Sequence, residues 1–434
     1  MSPVVVGIIG IVILLLVLFF LGMPVGFAMA VVGFCGFWHV VSLKAALNMV
    51  STDVWFTFSK YGFTVIPLFV LMGYLAFHAG IAERLYNATY KWMGHWPGGL
   101  AIATIGADEL FAAICGSNTA TAATMGAVAL PQMNKYNYDT RLSSGTVVTG
   151  GTLGTVMPPS VVIIVIGLQT EQSIRKLFLG GILPAILLGI LFVITILVIC
   201  RINPKFGPPG PRTTLNEKVK SLPGVIEALA IFALVIGGLL RGIFTPTEAG
   251  AVGVFCTFAV ALATRKLTWK GLISSIRDTL RISCMVFVLV TGAIIFGRFL
   301  AVTRIPFMVA DLAASLPVSP MVILAFVLLI YLIGGCIMDA LGFLVLTIPI
   351  FFPLGTALGF DPIWYSIILT MVTTLGAITP PVGVNIYVVK GLAPEISLGT
   401  IFKSVSYFLA ACILSIIILI IFPQIVLLIP GIVH

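Results

Sequence analysis

Charged residues are scarce in this chain of 434 residues. Lys, Arg, Asp and Glu make up 9% of it, against roughly 25% in a soluble globular domain. So few charges cannot cover the surface of a globule in water, and 60% of the residues are apolar. These proportions exclude a soluble fold and indicate that lipid surrounds most of the chain.

Other absences narrow the class of protein further. The seven cysteines lie within or at the ends of apolar segments and show no CxxC spacing, so the sequence supports neither a disulfide framework nor a zinc site. Residues 305–389 contain no Lys or Arg, whereas 201–220 and 265–281 contain five each. Because the net charge of +9 is confined to such connections, it indicates cytoplasmic loops and not a nucleic-acid surface.

The sequence is rich in apolar runs that are long enough to cross a bilayer. Runs near the ~20 residues of one crossing lie at 4–22, 24–41, 64–81, 177–200, 223–241, 248–264, 282–299 and 405–429. Two more, 143–170 and 362–389, are interrupted by Pro-Pro, while 98–131 and 320–353 are too short to cross twice. The pattern predicts an all-α polytopic membrane protein of ten spans and two re-entrant hairpins, with both termini outside.

An internal repeat connects the two halves of the chain. TLGTVMPPSVVIIVI at 152–166 aligns with TLGAITPPVGVNIYV at 374–388, with seven identities in fifteen positions at an offset of 222. Five predicted spans separate the starts of the two units, and an odd number inverts the second unit, so that the first hairpin enters from the cytoplasm and the second from outside. Inverted repeats with broken helices are typical of secondary transporters.

The interrupted helices supply the chemistry of a cation site. Proline removes a backbone donor inside a span, so the helix opens and frees carbonyl oxygens. Threonines beside each Pro-Pro pair add hydroxyls, and the helix that restarts after it points its N-terminal amides at the break, which favours a carboxylate. A single Pro in a membrane helix is more often a packing kink, but two matched Pro-Pro pairs beside polar hairpins favour a site.

The few intramembrane polar residues have competing interpretations. Asp339 in the second hairpin is functional by default because a carboxylate in lipid is costly, although it could instead bond neighbouring hydroxyls. Asp108 and Glu109 lie in the first hairpin or in a loop nearer the surface. Arg298 and Arg304, at the end of a span, are candidates for pairing an anionic substrate, although ordinary snorkelling is favoured. Glu248, after Thr245 and Pro246, predicts a helix start.

Taken together, these motifs resemble the large membrane subunit of tripartite ATP-independent periplasmic (TRAP) transporters. The resemblance rests on GSNTATAATMGAVALP and GGTLGTVMPP in the first unit, FTPTEAGAVG between the units, and GCIMDALGFLVLTIPIFFP and GAITPPVGVNIYV in the second. It implies an elevator-type, sodium-driven importer of small organic acids such as sialic acid or C4-dicarboxylates in the bacterial inner membrane. It also implies a separate small four-helix membrane subunit and a periplasmic binding protein that delivers the substrate.

The resemblance assigns a sodium and substrate region to both units. These residues are Ser117, Asn118, Thr119, Gly151, Thr152, Gly154, Pro158, Gly335, Asp339, Thr374, Gly376, Thr379 and Pro380. Oxygen ligands for Na⁺ are expected from Ser117, Asn118, Thr152, Asp339, Thr374 and Thr379. Because the second tip reads Gly-Cys-Ile-Met-Asp instead of Ser-Asn-Thr, the two cation sites are expected to differ.

The predicted division of the chain follows the repeat. Residues 64–170 and 282–389 are expected to form a mobile transport module, each with its hairpin and its broken helix. Residues 1–63, 171–281 with the basic loops, and 390–434 are expected to supply scaffold. No organic cofactor and no enzymatic activity are expected, since no His occurs between 96 and 433 to act as the base for an intramembrane hydrolase.

Two other transport functions stay open from the sequence alone. One is a proton-coupled carboxylate symporter that works without a binding protein, in which Asp339 would titrate during transport. The other is a channel built from the re-entrant loops, which the stoichiometry of sodium coupling would distinguish from a carrier.

Overall fold

The computed structural model describes residues 2–432, and among these residues all regular structure is helical. The first part contains α1 (Pro3–Leu21), α2 (Val25–Val40), α3 (Leu43–Ser59), α4 (Val65–His78), α5 (Ile81–Met93), α6 (Gly99–Cys115) and α7 (Asn118–Lys135). Next come α8 (Thr140–Gly150), α9 (Leu153–Val156), α10 (Val161–Thr170), α11 (Ile174–Ile202), α12 (Leu215–Leu240) and α13 (Pro246–Ala263). The second half contains α14 (Trp269–Val302), α15 (Ile305–Ser315), α16 (Pro320–Ile337), α17 (Ala340–Ala357), α18 (Pro362–Gly376), α19 (Val384–Leu392), α20 (Leu398–Ile421) and α21 (Gln424–Ile432).

The apolar runs become helices as predicted. Within residues 2–432, ten helical segments are long and apolar enough to cross a membrane, which confirms an all-α, multi-pass fold. Local sequence sets several boundaries: Thr245 and Glu248 form a capping box at the start of α13, as predicted. Both Pro-Pro pairs interrupt their helices, and each pair contains a cis peptide bond, Pro158–Pro159 and Pro380–Pro381.

Several boundaries differ from the sequence prediction. The basic stretch 265–281 is not a loop, because most of it continues as the first turns of the 34-residue helix α14. The predicted last span 405–429 is two helices that meet at Phe422 and Pro423, where proline cannot continue the backbone ladder. The helices α3 and α5 were missed because polar and charged residues interrupt their apolar pattern.

The helices pack in two sets. In one set α14 lies against α2, α3 and α4, and α4 lies against α13. Glycines allow the closest approach there, since a Cβ added to Gly292 would lie 2.0 Å from the carbonyl oxygen of Gly26. The other set gathers both hairpins, both broken helices, α11, α20 and α21. The helices α5 and α12 lie between the two sets. Helix α5 packs against α4 of the first set and α6 of the second, and α12 packs against α13 of the first and α6 of the second.

The position of α11 and α20 bears on the predicted division of the chain. Both helices were expected to belong to the scaffold, yet α11 packs against α6, α9 and α18, and α20 packs against α8 and α18. They therefore surround the broken helices directly. Which helices move together stays a prediction.

Candidate functional site

The first hairpin turns at Gly116 and Ser117, between α6 and α7 (first tip, residues 116–119). Gly116 has a φ of +64°, a left-handed conformation that a residue with a side chain rarely adopts. Ser117 caps α7, and its Oγ accepts a hydrogen bond from the Ala120 amide at 3.4 Å. The turn therefore exposes the N-terminal amides of α7 at the end of the hairpin.

The Asn118 and Thr119 side chains lie at this tip. The Asn118 Oδ1 accepts a hydrogen bond from the Thr119 amide at 2.7 Å, while its Nδ2 is buried without a partner. The Thr119 hydroxyl lies 3.4 Å from the Ser117 hydroxyl. The structure thus brings together the three side chains that were predicted at the first tip.

The first broken helix receives this tip (first break, residues 151–160, including the single turn α9). A Cβ added to Gly154 would lie 2.5 Å from the Ser117 carbonyl oxygen, and one added to Gly151 would lie 3.0 Å from that of Asn118. The Gly116 carbonyl accepts a hydrogen bond from the Val161 amide at 3.3 Å. Glycine at 151 and 154 is what allows the tip to pack against the break, and all ten residues of the break, Pro158 included, are buried.

The second hairpin turns later than the sequence suggests. Gly334, Gly335 and Cys336 were expected at the midpoint, but they belong to α16, and the chain turns at Met338 and Asp339 (second tip, residues 335–339). Asp339 caps α17, and its Oδ2 accepts a hydrogen bond from the Leu341 amide at 3.1 Å. Its side chain is exposed. The carboxylate thus bonds backbone amides and not the hydroxyls that the sequence left as an alternative.

The second break (residues 377–383) and Gly376, the residue before it, contact the second tip through backbone atoms. A Cβ added to Gly376 would lie 2.5 Å from the carbonyl carbon of Gly335. The Cys336 carbonyl accepts hydrogen bonds from the amides of Val382 and Gly383, both at 3.3 Å. Thr379 is half-buried and Pro380 is exposed, so this break is open where the first is closed.

The two broken helices meet at a pair of equivalent threonines. Thr152 and Thr374, 222 residues apart, line one small cavity of about 10 Å³ together with side chains of α11 and α20. Their hydroxyls donate to the carbonyls of Thr149 at 2.6 Å and of Thr370 at 2.7 Å. Each hydroxyl oxygen keeps lone pairs free for a cation or a water, and the cavity is close to the size of one water.

Asn385 also joins the two units and was missed by sequence reasoning. Its Nδ2 donates to the Val148 carbonyl of α8 at 3.3 Å, and its Oδ1 is buried without a partner. The signal was available, because the repeat aligns this polar residue with the apolar Ile163. An amide in an otherwise apolar segment indicates a contact across helices.

Arg298 lies apart from the tips and breaks. Its guanidinium pairs with the buried Asp53 carboxylate at 3.3 Å, and 61% of its side chain is exposed. Both residues line a cavity of about 260 Å³ between α3 and α14 on one side and α10 and α17 on the other. Lys60 and Glu171 line the same cavity, which shares no lining residue with the tips or the breaks.

The donor set restricts what the tips and breaks can bind. In the part of the chain that the structure describes, no three His, Cys, Asp or Glu side chains cluster as metal ligands. The oxygens available are carbonyls, hydroxyls, the Asn118 amide and one carboxylate. Such a set suits a hard cation and not a transition metal.

Comparison with known proteins agrees with this architecture. The family model described as "Tripartite ATP-independent periplasmic transporter, DctM component" matches residues 12–425. The C4-dicarboxylate TRAP transporter large permease protein DctM of Pseudomonas aeruginosa is 33% identical over 86% of this chain and 87% of its own. The sialic acid TRAP transporter large permease protein SiaM of Vibrio cholerae is 30% identical over 95% of this chain and 96% of its own.

A solved structure supports the fold independently of sequence. The YdaH transporter of Alcanivorax borkumensis superposes with a TM-score of 0.57 at 15% identity, covering 89% of this chain and 88% of its own. With the ten apolar helical segments, these findings describe a multi-pass protein of the bacterial inner membrane that transports and is not an enzyme. The chain belongs to the DctM family, the large permease subunits of TRAP transporters.

Proposed function

We propose that this chain imports a small organic acid across the inner membrane together with sodium. It does so as the large permease of a TRAP system with a small four-helix membrane subunit and a periplasmic binding protein. The observation that carries the proposal is the packing of each hairpin tip against a broken helix of its own unit. Relatives named for C4-dicarboxylates, sialic acid and 2,3-diketo-L-gulonate support an organic acid as the substrate.

Sodium binds where the tips meet the breaks. Ser117, Asn118 and Thr152 contribute oxygens in the first unit, and Asp339, Thr374 and Thr379 contribute them in the second. Because the tips are held to the breaks mainly by glycine contacts and by one or two backbone hydrogen bonds each, a cation shared by both orders their relative position. Sodium binding thereby creates the conformation that accepts the anion, which couples the two.

The substrate carboxylate pairs with Arg298 in the cavity between the two helix sets. The Arg298 side chain is largely exposed, and Asp53 accepts hydrogen bonds from its Nε and Nη2, which leaves the Nη1 side of the guanidinium free for the substrate. Lys60 and Glu171 add one charge of each sign to the same cavity. A guanidinium binds a planar carboxylate through two parallel hydrogen bonds. Movement of one helix set against the other opens this cavity alternately, which is an elevator mechanism.

The sodium assignment is tested by uptake into proteoliposomes that contain this chain, the small subunit and the binding protein. Asn118→Ala and Asp339→Asn should each raise the sodium concentration for half-maximal uptake by roughly ten- to a hundredfold, because a contact to a charged group contributes about 1.5–3 kcal/mol. Asn134→Ala, at an exposed position on the same helix α7, is the control. Uptake that persists undiminished without a sodium gradient would refute sodium coupling.

The anion assignment has its own variant. Arg298→Lys keeps the charge but loses the two-point contact, so the substrate concentration for half-maximal uptake should rise about tenfold while sodium dependence stays unchanged. Arg304→Lys, at an exposed position two residues beyond the end of α14 and outside the cavity lining, is the matched control. Equal substrate affinity in the two variants would remove Arg298 from the site.

A further inference from the structure

Two acidic residues of the first hairpin have no part in the sodium or anion sites. Asp108 is completely buried in α6, and neither of its carboxyl oxygens has a hydrogen-bond partner. Glu109 keeps part of its side chain accessible, but both of its carboxyl oxygens are likewise buried and unpartnered. Of the three ion pairs among residues 2–432, none includes either residue.

Glycines on two different helices make room for these carboxyls. A Cβ added to Gly150, the last residue of α8, would lie 1.9 Å from the Asp108 Oδ2. A Cβ added to Gly189, in the middle of α11, would lie 2.8 Å from the Glu109 Oε2. Each carboxyl therefore occupies the space of a side chain that the facing helix lacks.

No positive charge lies near these positions on the facing helices. On α8, α9 and α11 the charged side chains are Arg141, Arg175, Lys176 and Arg201. Lys176 and Arg201 are thirteen and twelve residues from Gly189, about 18–20 Å along the helix. Arg141 is nine residues from Gly150, about 13 Å away, and is paired with Asp139.

The other helices that pack against α6 add no counter-ion either. The helix α5 brings the hydroxyls of Tyr86 and Tyr90, and its Arg84 is paired with Glu227 of α12. The helix α4 carries Tyr74 and ends at His78, and α7 carries Lys135 only in its last turn. None of the remaining charged residues of α5 and α12 forms an ion pair with Asp108 or Glu109. They are Glu83, Lys91, Glu217, Lys218 and Lys220.

An ionised carboxylate buried without a counter-ion or hydrogen bonds costs far more than the same group in its neutral form. The close packing at Gly150 and Gly189 leaves a proton as the ligand that fits. The geometry points to Asp108 and Glu109 as a proton-binding site, which must be occupied for the first hairpin to pack against α8 and α11. Asp108, the more deeply buried, is its principal member.

The consequence for transport has a definite sign. Loss of the proton at high pH places a charge between α6 and α8 and separates the hairpin from the first break. Uptake by the wild-type chain should therefore fall as the pH rises. Asp108→Asn keeps the size and the neutrality of the protonated group, so it should retain uptake at alkaline pH where the wild type loses it.

The test measures sodium-driven uptake in proteoliposomes with both partner proteins, at a series of pH values. We expect Asp108→Asn, alone or with Glu109→Gln, to flatten the profile, while Asp311→Asn, at an exposed aspartate of α15, keeps the wild-type profile. A wild-type profile that is already flat, or an unchanged profile in Asp108→Asn, overturns the proposal. The inference uses the proposed function only as its readout, and sodium-dependent uptake at neutral pH tests that function separately.

Infrared spectroscopy of the purified chain gives a measurement that does not depend on uptake. The wild type at neutral pH should show the carbonyl band of a protonated carboxyl, and the difference spectrum against Asp108→Asn should contain it. Absence of that band from the difference spectrum shows an ionised Asp108 and overturns the proposal.

Discussion

The two hairpin–break units share a sequence pattern but differ in how the protein covers them. The first break is wholly buried, and α11 lies so close that a Cβ on Gly181 would come within 2.7 Å of the Val156 carbonyl oxygen. The second break leaves Thr379 half-buried and Pro380 exposed. Two copies of one motif therefore hold their polar groups in different environments, and the difference comes from neighbouring helices and not from the motif.

The two hairpin tips also differ in how far the protein covers their polar groups. The first tip presents hydroxyls and a buried amide, whereas the second contacts its broken helix through backbone atoms and carries its single carboxylate at an exposed helix cap. A closed site made of neutral groups selects its ligand by fit, while an open site with a charge attracts a cation from outside. The second unit is therefore the more accessible of the two.

The largest expected effect comes from filling the glycine contacts. Gly376→Ala should lower uptake more than tenfold, because all three nearest atoms to the new Cβ are backbone atoms of the second tip and overpacking costs about 1–3 kcal/mol. Gly154→Ala should act similarly, because its Cβ would lie 2.5 Å from the Ser117 carbonyl oxygen and only the Thr121 hydroxyl among its nearest neighbours can rotate away. Gly391→Ala, where the Cβ would meet open space, is the control. Equal and full uptake by all three variants would contradict tight packing of tip on break.

The difference in accessibility can be measured at two equivalent positions. Met157 and Thr379 are 222 residues apart, and the first is 5% exposed while the second is half-buried. In a chain whose native cysteines are replaced, we expect Thr379→Cys to react with a membrane-impermeant thiol reagent about tenfold faster than Met157→Cys, because only the thiolate that water reaches is reactive. Equal rates at the two positions would show that the two breaks do not differ in accessibility.

The smallest effect is expected where the two units meet. Thr152→Val and Thr374→Val each remove one hydroxyl from the shared cavity and should lower the free energy of unfolding by about 0.5–1.5 kcal/mol. Since the two side chains line one cavity, the change in the free energy of unfolding of the double variant should differ from the sum of the changes in the two single variants. Thermal unfolding in detergent measures all three variants. Strict additivity would indicate that the hydroxyls do not share a ligand or a water.

Much of the fold and part of the site could be predicted from the sequence because the signals that set them lie within short segments of the chain. Proline pairs end helices wherever they occur, and a polar or glycine-rich midpoint in a run too short for two crossings turns the chain back. The breaks at Pro158 and Pro380 and the turn at Gly116 follow from such signals. The second turn was placed too early because Gly334 and Gly335 serve a helix contact, which spacing along the chain does not distinguish from a turn.

What the sequence by itself determined is the membrane environment, the helical fold and the matched interruptions, since each depends on residues close together in the chain. Only the tertiary structure decided which break is covered, that Thr152 meets Thr374, that Asp53 holds Arg298, and that Asp108 and Glu109 face glycines. These pairings join residues far apart in sequence. Their energies come from burial, which is a property of the assembled helices and not of any segment alone.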